Sequence, residues 1–508
     1  MKSDFFKFIK SDFNIFNLEN TKKESCMIID RGKPLSIFTN SMAMRLINQR
    51  FKLKPIIFSQ YSKNSWQIKM YNAFGKFIFI NSGDKKFLIY NLYLLIISMI
   101  KTIISFFRYY KNFNKFINFF KLEGVEVGHS IYDEYIKFDH RYKKKNIYNL
   151  IFFYFLLKKV YLFYNVKKIL KSNNVKLLVC NSLDYATYSA IAARIAVKNN
   201  IKVLIADENF KIFSSQKDIN KSVFQLDKKN LKKFFLKKKK INFNKYFKKR
   251  FYGLLDTKLT SAFDLKLANK NKINLNKNQF LNKYGKDKNY KHVVLIAPHC
   301  FTDAVHGFGK NFIFDDYYQH LDETLKFIYY SKKKNILWIV KPHPRSKYYN
   351  ENGQAEELIN KYKKKNIILL NRKISTLSAI KFSDLVVTGR GSIGLEAASF
   401  GTKVIIAGYA VYKDLGFTIQ PQSKKEYFQE LEKIKNFTKL NEKSIKSARK
   451  YLFYFDNNRN LIPRSYAGLL DEKSKDFYKI LTKYMKKKEY LNDKYYLLFD
   501  KFLKEIKY

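Results

Sequence analysis

Two short loops carry residue types that could do chemistry, and each follows a run of strand character. Ile336-Leu337-Trp338-Ile339-Val340 leads into Lys341-Pro342-His343-Pro344-Arg345. Two prolines fix the backbone around one histidine and remove competing donors, so a single imidazole is presented rigidly between two cations. Such a group suits a diphosphate or phosphodiester leaving group, with His343 donating a hydrogen bond or a proton as the bond to phosphate oxygen breaks. The other run, Leu385-Val386-Val387-Thr388, leads into Gly389-Arg390-Gly391-Ser392-Ile393-Gly394 and a helical stretch from Leu395 to Gly401. Backbone N–H groups and a positive helix end would point at one spot there, the glycines would let a phosphate approach, and Arg390 would add a charged donor. The spacing fits neither the dinucleotide fingerprint nor a P-loop, and a glycine turn that merely packs a helix on its strand is the plainer reading. Glu396, early in that helix, could hold a ribose hydroxyl pair or simply answer the helix dipole.

Three further groups sit at the ends of similar runs. His299 and Asp303 follow His292–Ala297 and are expected to face the same crevice, with His306 and Asp315-Asp316 close behind. No helix-borne metal spacing is present, so loop positioning is preferred over metal binding. Asp207-Glu208-Asn209 closes the run Lys202–Ala206. Two adjacent carboxylates repel, which can raise one pKa toward the range of a general base; an ordinary acidic turn is the alternative. Tyr132 and Asp133 are a second acceptor-side pair.

The alternation of strand, loop and helix over 336–408, closed by Val404-Ile405-Ile406-Ala407, predicts a parallel α/β sheet whose ligands bind beyond the carboxyl ends of the strands. An earlier series has the same rhythm: a strand from Met27, a helix near Ile37 to Gln49, strands at Pro55–Phe58, Val175–Cys180 and Lys202–Ala206, and an alanine-rich helix from Asp184 to Lys198. The expected class is α/β, with two Rossmann-like domains facing across a cleft and added helices. The expected boundaries are 25–215 for an acceptor-side domain with a helical insertion, 216–290 for a Lys/Asn-rich interdomain segment, 291–423 for a donor domain and 424–508 for C-terminal helices. One of the last is expected to return to the first domain.

At 508 residues the chain exceeds a single core. Its formal net charge of +57 points to acidic partners, nucleic acid or anionic membrane among them. Lys, Asn, Ile, Phe and Tyr are over-used together in loops and cores alike, and that bias accounts for most of the charge; nucleic acid is set aside as a partner. Leu231 to Lys240 interleaves aromatics with lysines, which can stack on bases or lie on lipid, but a solvated helix face is preferred. Cys26, Cys180 and Cys300 form no paired spacing, and Met1 to Lys10 shows no secretory signal, so a cytoplasmic location is expected. Phe87 to Ile100 is a charge-free run of fourteen residues after a helix start at Ser82-Gly83-Asp84. A buried helix is the first reading, a membrane-surface helix the second and a span the third.

Together these motifs resemble the GT-B-fold glycosyltransferases of capsule and surface-polysaccharide biosynthesis, the group that includes the CMP-Kdo and CMP-sialate transferases. The resemblance rests on Ile339 to Arg345, which looks like the family's HP motif, on Val387 to Ala397 with Gly401, and on Gly408 to Thr418. It implies that about 292–430 is the donor domain, with His343 on the nucleotide phosphate; His299, Lys341, Arg345, Arg390, Gly391, Ser392, Gly394 and Glu396 are the donor-side candidates that the loops themselves offer. Ala206 to Phe210 looks like the family's acidic motif, which implies Glu208 as the catalytic carboxylate with Asp207 beside it; Asn209 stands where the family has glycine. The implied activity moves a sugar from a nucleotide-sugar, CMP-linked by preference, to a surface or capsular polysaccharide or its lipid-linked precursor. The nucleotide-sugar is then a substrate, no cofactor or metal is needed, and a peripheral contact at the inner face of the membrane is expected. A nucleotide-sugar 2-epimerase, a polyol-phosphate transferase and a basic membrane- or nucleic-acid-binding scaffold are the alternatives.

Overall fold

Among the described residues, short β-branched runs separated by helices build a six-stranded and a five-stranded sheet, each in its own unit of the chain, beside one two-stranded hairpin. The computed structural model describes residues 5, 7, 23–30, 32, 34–59, 61, 65–75, 77–81, 88–109, 113–137, 150–180, 183, 187–206, 210–220, 228–236, 241–252, 268–269, 271–285, 290–307, 312–333, 335–436, 438–458, 476–487 and 492–506. One unit comprises 1–135, 145–223 and 459–508; the other comprises 136–144 and 224–458.

In the first unit the chain runs β1 (Ser25–Ile29), α1 (Pro34–Phe51), β2 (Lys54–Ser59), α2 (Trp66–Phe74), β3 (Ile78–Asn81), α3 (Leu88–Arg108), α4 (Leu150–Ser172), β4 (Val175–Cys180), α5 (Thr187–Lys198), β5 (Lys202–Ile205) and β6 (Lys211–Phe213). The sheet order is β3-β2-β1-β4-β5-β6, parallel except for β6, which runs antiparallel to β5. The parallel strands read as near-continuous Ile, Val and Leu because both sheet faces are covered. Past the end of β1, Asp30 accepts hydrogen bonds from the Gly32 amide, the Ser59 hydroxyl and the Tyr71 hydroxyl, which fixes the first turn. The chain does return here: Phe477, Leu481, Phe499 and Leu503 from helices Phe477–Lys486 and Lys494–Glu505 are buried in the same core as Ile28, Ile57 and Val179.

Three expectations change. The charge-free run is buried on one side only: α3 leaves Leu92, Ile96, Ile100, Ile104 and Phe107 exposed. The start proposed for it, Ser82 to Asp84, lies outside the described residues. The segment read as interdomain contributes to the second core through Phe247 and Phe280, because its aromatics supply the apolar surface that composition hid among lysines. The C-terminal helices divide, with helix Glu442–Asn458 in the second unit and those after 459 in the first. Within 231–240, Phe234 and Phe235 pack on Tyr454 rather than presenting free rings.

In the second unit α6 (Phe243–Tyr252) and α7 (Lys277–Tyr284) precede β7 (His292–Ala297), α8 (Tyr317–Tyr330), β8 (Ile336–Val340), β9 (Ile367–Leu369), β10 (Leu385–Thr388), α9 (Ser392–Ser399), β11 (Lys403–Ile406) and α10 (Glu442–Asn458). All five strands are parallel, in the order β9-β8-β7-β10-β11. The chain proceeds outward from β7 through β8 to β9, then crosses back to β10. Loops leaving β7 and β10 therefore diverge, and such a switch point opens a crevice at the carboxyl edge of the sheet.

Candidate functional site

The three central strands each deliver one loop to that crevice. Register fixes their level: Thr388 pairs with Ala297, and Val340 pairs with Ile296, so the residues after each strand emerge side by side. The Thr388 hydroxyl donates to the Ala297 carbonyl and locks β10 to β7 at the edge.

After β7 comes His299. Its ring stacks on Tyr317 at 4.5 Å and faces the His343 ring at 6.1 Å, with planes within 10°. Its Nδ1 lies 3.9 Å from Asp303 Oδ2, too far for a direct hydrogen bond. Its Nε2 is buried and has no hydrogen-bond partner among the described residues. Burial, with His343 and Arg390 close by, drives its pKa well below the usual histidine range, so this imidazole is neutral.

After β8 comes His343. The Arg345 amide donates to its Nδ1 at 3.2 Å and the Cys300 thiol lies 3.4 Å from the same atom. An Nδ1 that accepts places the neutral ring's proton on Nε2, making that nitrogen a donor. Lys341 is buried and donates to the Ile374 carbonyl, and its pKa is lowered to about 8 by burial and by Lys272 and Arg372. The ammonium that sequence placed on a phosphate thus has a structural acceptor. Arg345 is half-buried and opens the 3₁₀ turn Ser346–Tyr349.

After β10 comes the glycine-rich loop, whose glycines divide by purpose. A Cβ on Gly391 would stand 3.6 Å from His299 Nε2, so this backbone approaches the unpartnered imidazole. Gly389 is required by rings instead: a Cβ there would lie 3.2 Å from Tyr317 and 3.3 Å from Phe312. Gly394 was expected to admit a phosphate, yet a Cβ there would strike Tyr412 Oη at 2.2 Å. That hydroxyl donates to the Gly391 carbonyl at 2.6 Å and orients the loop from below. Gly391 is the N-cap residue of α9, and no side chain caps it; the first amides of a helix left in this state attract anions. Ser392 is exposed at that end.

Two charged residues of this loop are otherwise engaged. Arg390 Nη1 donates to the Val305 carbonyl at 2.6 Å, and its guanidinium lies 5.1 Å from the centre of the Phe312 ring. It binds the loop after β7 to the loop after β10, while its charge still reaches His299. Glu396 is engaged by a buried cation. It accepts from Arg250 at 3.3 Å, and Arg250 also donates to Asp456 at 2.6 Å, which takes a second bond from the Tyr246 hydroxyl. This network ties α9 to α6 and α10, since a buried guanidinium needs carboxylates around it.

Residues with no sequence signal complete the support. Glu351, buried beyond the His343 loop, accepts from both the amide and the hydroxyl of Thr302 at 2.8 Å. It joins the two histidine loops, and burial raises its pKa. Asp316 caps α8 through the Gln319 amide, and the Asp315 amide donates to the Gln319 side chain, so these two serve the helix start. His320 stands behind His299, close enough to depress its pKa, and its Nε2 lies 3.0 Å from the Tyr427 hydroxyl. In the first unit Tyr132 and Asp133 are buried within helix Gly128–Tyr135. Asp207, Glu208 and Asn209 lie outside the described residues.

The second unit therefore brings together His299, His343, Arg390 and the Gly391 backbone, and sets Gly394 and Glu396 to packing. A family described as "Capsule polysaccharide biosynthesis protein" matches residues 191–453. No curated protein matches the chain. Among solved structures, a UDP-GlcNAc 2-epimerase from Neisseria meningitidis bound to UDP-GlcNAc is similar at 10% identity and TM-score 0.26, covering 91% of this chain and 100% of that one. A glycosyltransferase from Rickettsia africae is similar at 14% identity and TM-score 0.29, covering 91% and 99%. A UDP-GlcNAc 2-epimerase from Methanocaldococcus jannaschii, in complex with UDP-GlcNAc and UDP, is similar at 14% identity and TM-score 0.27, covering 85% and 99%.

Proposed function

This chain belongs to the capsule polysaccharide biosynthesis protein family, and we propose that it transfers a sugar from a nucleotide-linked donor, CMP-linked by preference, to a surface or capsular polysaccharide or its lipid-linked precursor. The observation that carries this reading is the unpartnered His299 Nε2 beside the Gly391 backbone, next to an imidazole whose tautomer makes Nε2 a donor. A neutral His299 imidazole and a donor Nε2–H on His343, next to helix amides that no side chain caps, suit phosphate oxygens. In the transfer step the bond from the sugar's anomeric carbon to phosphate oxygen breaks. His343 Nε2–H then donates to that oxygen, while the α9 amides and the nearby Arg390 charge stabilise the leaving nucleotide. Glu208, with Asp207 beside it, is assigned to take the proton of the acceptor hydroxyl as that oxygen forms the new bond to the anomeric carbon. This role is what the resemblance of residues 206–210 to the family's acidic motif implies.

The test separates transfer from isomerisation. Purified protein is incubated with a nucleotide-sugar, with and without acceptor glycan, and both sugar and nucleotide are analysed. The expected result is release of free nucleotide that depends on acceptor and a lengthened glycan. Conversion of the donor to a 2-epimer without acceptor would replace this reading with the epimerase one.

A further inference from the structure

We propose that α3, with the start of α4, is a lipid-docking face that lies along an anionic membrane leaflet. The inference stands apart from the transfer reading and uses no residue of the donor site.

The polarity of α3 is inverted. Leu94, Ser98, Thr102 and Ser105 recur at helical spacing and are the buried side of the helix. The Ser98 and Ser105 hydroxyls donate to the carbonyls of Leu94 and Lys101 within the helix, so two of the three hydroxyls of this seam are satisfied by the helix itself. The opposite side exposes Leu92, Tyr93, Ile96, Ile100, Ile104 and Phe107, the last at 69%. A water-facing helix shows the reverse arrangement, and a continuous apolar face of this kind marks a contact with another apolar phase or partner. The face continues onto α4, where Phe106 meets Phe153 at 5.5 Å and Leu150, Ile151 and Tyr154 are exposed, Leu150 at 86%.

Charge selects the occupant. Neither helix contains an Asp or Glu. With 3.6 residues per turn, Lys101 and Arg108 fall on one margin of the exposed α3 face, and Lys158 lies 4.2 Å from the centre of the Tyr154 ring. Lysines and aromatics at the border of an apolar face match the headgroup level of an anionic leaflet. A second copy of the chain would bring the same acid-free cationic margin against itself, which disfavours pairing through this face. By length and composition α3 could cross a bilayer. Its partner α4 carries the exposed Lys158 and Lys171, with Lys159 and Lys167 paired to Glu134 and Glu123, so the packed pair lies along the surface.

The full chain is to be floated with vesicles of phosphatidylcholine, with or without phosphatidylglycerol, beside the variants Ile96→Gln/Ile100→Gln/Ile104→Gln and Lys101→Glu/Arg108→Glu. The wild type is expected to float with phosphatidylglycerol vesicles, and each variant to lose about tenfold or more in partitioning, with circular dichroism and Tm unchanged because the replaced side chains are exposed. Alkaline carbonate is expected to strip the protein from the vesicles. Failure of the wild type to float, equal binding to neutral vesicles, full retention by the triple-Gln variant, or resistance to carbonate would each overturn the proposal. So would light scattering that shows a wild-type dimer split by the triple-Gln change with lipid binding unaltered.

Discussion

His299 and His343 face each other ring to ring at 6.1 Å with planes 10° apart, each on the loop leaving a neighbouring parallel strand. The pairing makes one ring depend on the other: a charged His343 would oppose protonation of His299, which burial already disfavours. Their orientation on the backbone comes from Arg345 and Glu351, and their common level from strand register.

Replacing His343 by Ala should lower kcat for sugar transfer by about a hundredfold or more, the range of a positioned proton or hydrogen-bond donor. KM for the donor should change far less. His299→Ala, which removes the unpartnered nitrogen beside Gly391, should instead raise the Kd for nucleotide about tenfold. Steady-state kinetics and calorimetric binding on the two variants check the split.

Gly391 and Gly394 should fail in different ways. Gly391→Val crowds the space before His299 Nε2 at an ordinary φ of −62°, so binding should fall while the fold survives. Gly394→Ala meets Tyr412 Oη and should cost about 1–3 kcal/mol of stability. Most of that cost should vanish in a Tyr412→Phe background, since the hydroxyl is the nearest clashing atom. A double-mutant cycle of denaturation midpoints measures the coupling.

Arg250→Met should destabilise the second unit by about 3–5 kcal/mol, because Asp456 and Glu396 would be left as buried carboxylates without their cation. Thermal unfolding of the second unit reads the loss. A smaller drop in the triple variant with both carboxylates made neutral would confirm its cause.

Lys341 gives a pH signature whose sign can be worked out. Its ordinary pKa of 10.5 is lowered to about 8 in the folded chain, so between those values the unfolded chain holds more protons than the folded one. Stability tied to this group therefore rises with pH from about 8 to 10.5, as the cost of a buried charge is relieved. Denaturation of wild type and Lys341→Met at pH 7 and pH 10 should show the wild type gaining on the variant. Parallel pH profiles would contradict the shift.

The carboxyl-edge loops were legible because β-branched runs ending in Gly or Pro announce both strand and turn, and His299, His343 and Gly391 emerged from that pattern. Partners far apart in the chain left no such trace. Glu396 looked like a ligand carboxylate because Arg250, 146 residues away, cannot be paired with it from spacing, and Glu351 serves Thr302 across 49 residues. Gly394 looked like Gly391 because only Tyr412 tells them apart. The character of α3 was readable in part: Leu94, Ser98, Thr102 and Ser105 trace one stripe, and hydropathy averaged over the run concealed which side that stripe turns inward.

Calorimetric titration of the full chain with CMP, CDP, UDP and GDP, repeated on His299→Ala and His343→Ala, tests the donor site most directly. One nucleotide is expected to bind at one site per chain, with CMP tightest, and to weaken about tenfold when either imidazole is removed. Absence of binding by all four, or an affinity that neither substitution changes, would contradict the placement of the donor phosphate between His299, His343 and the amides after Gly391.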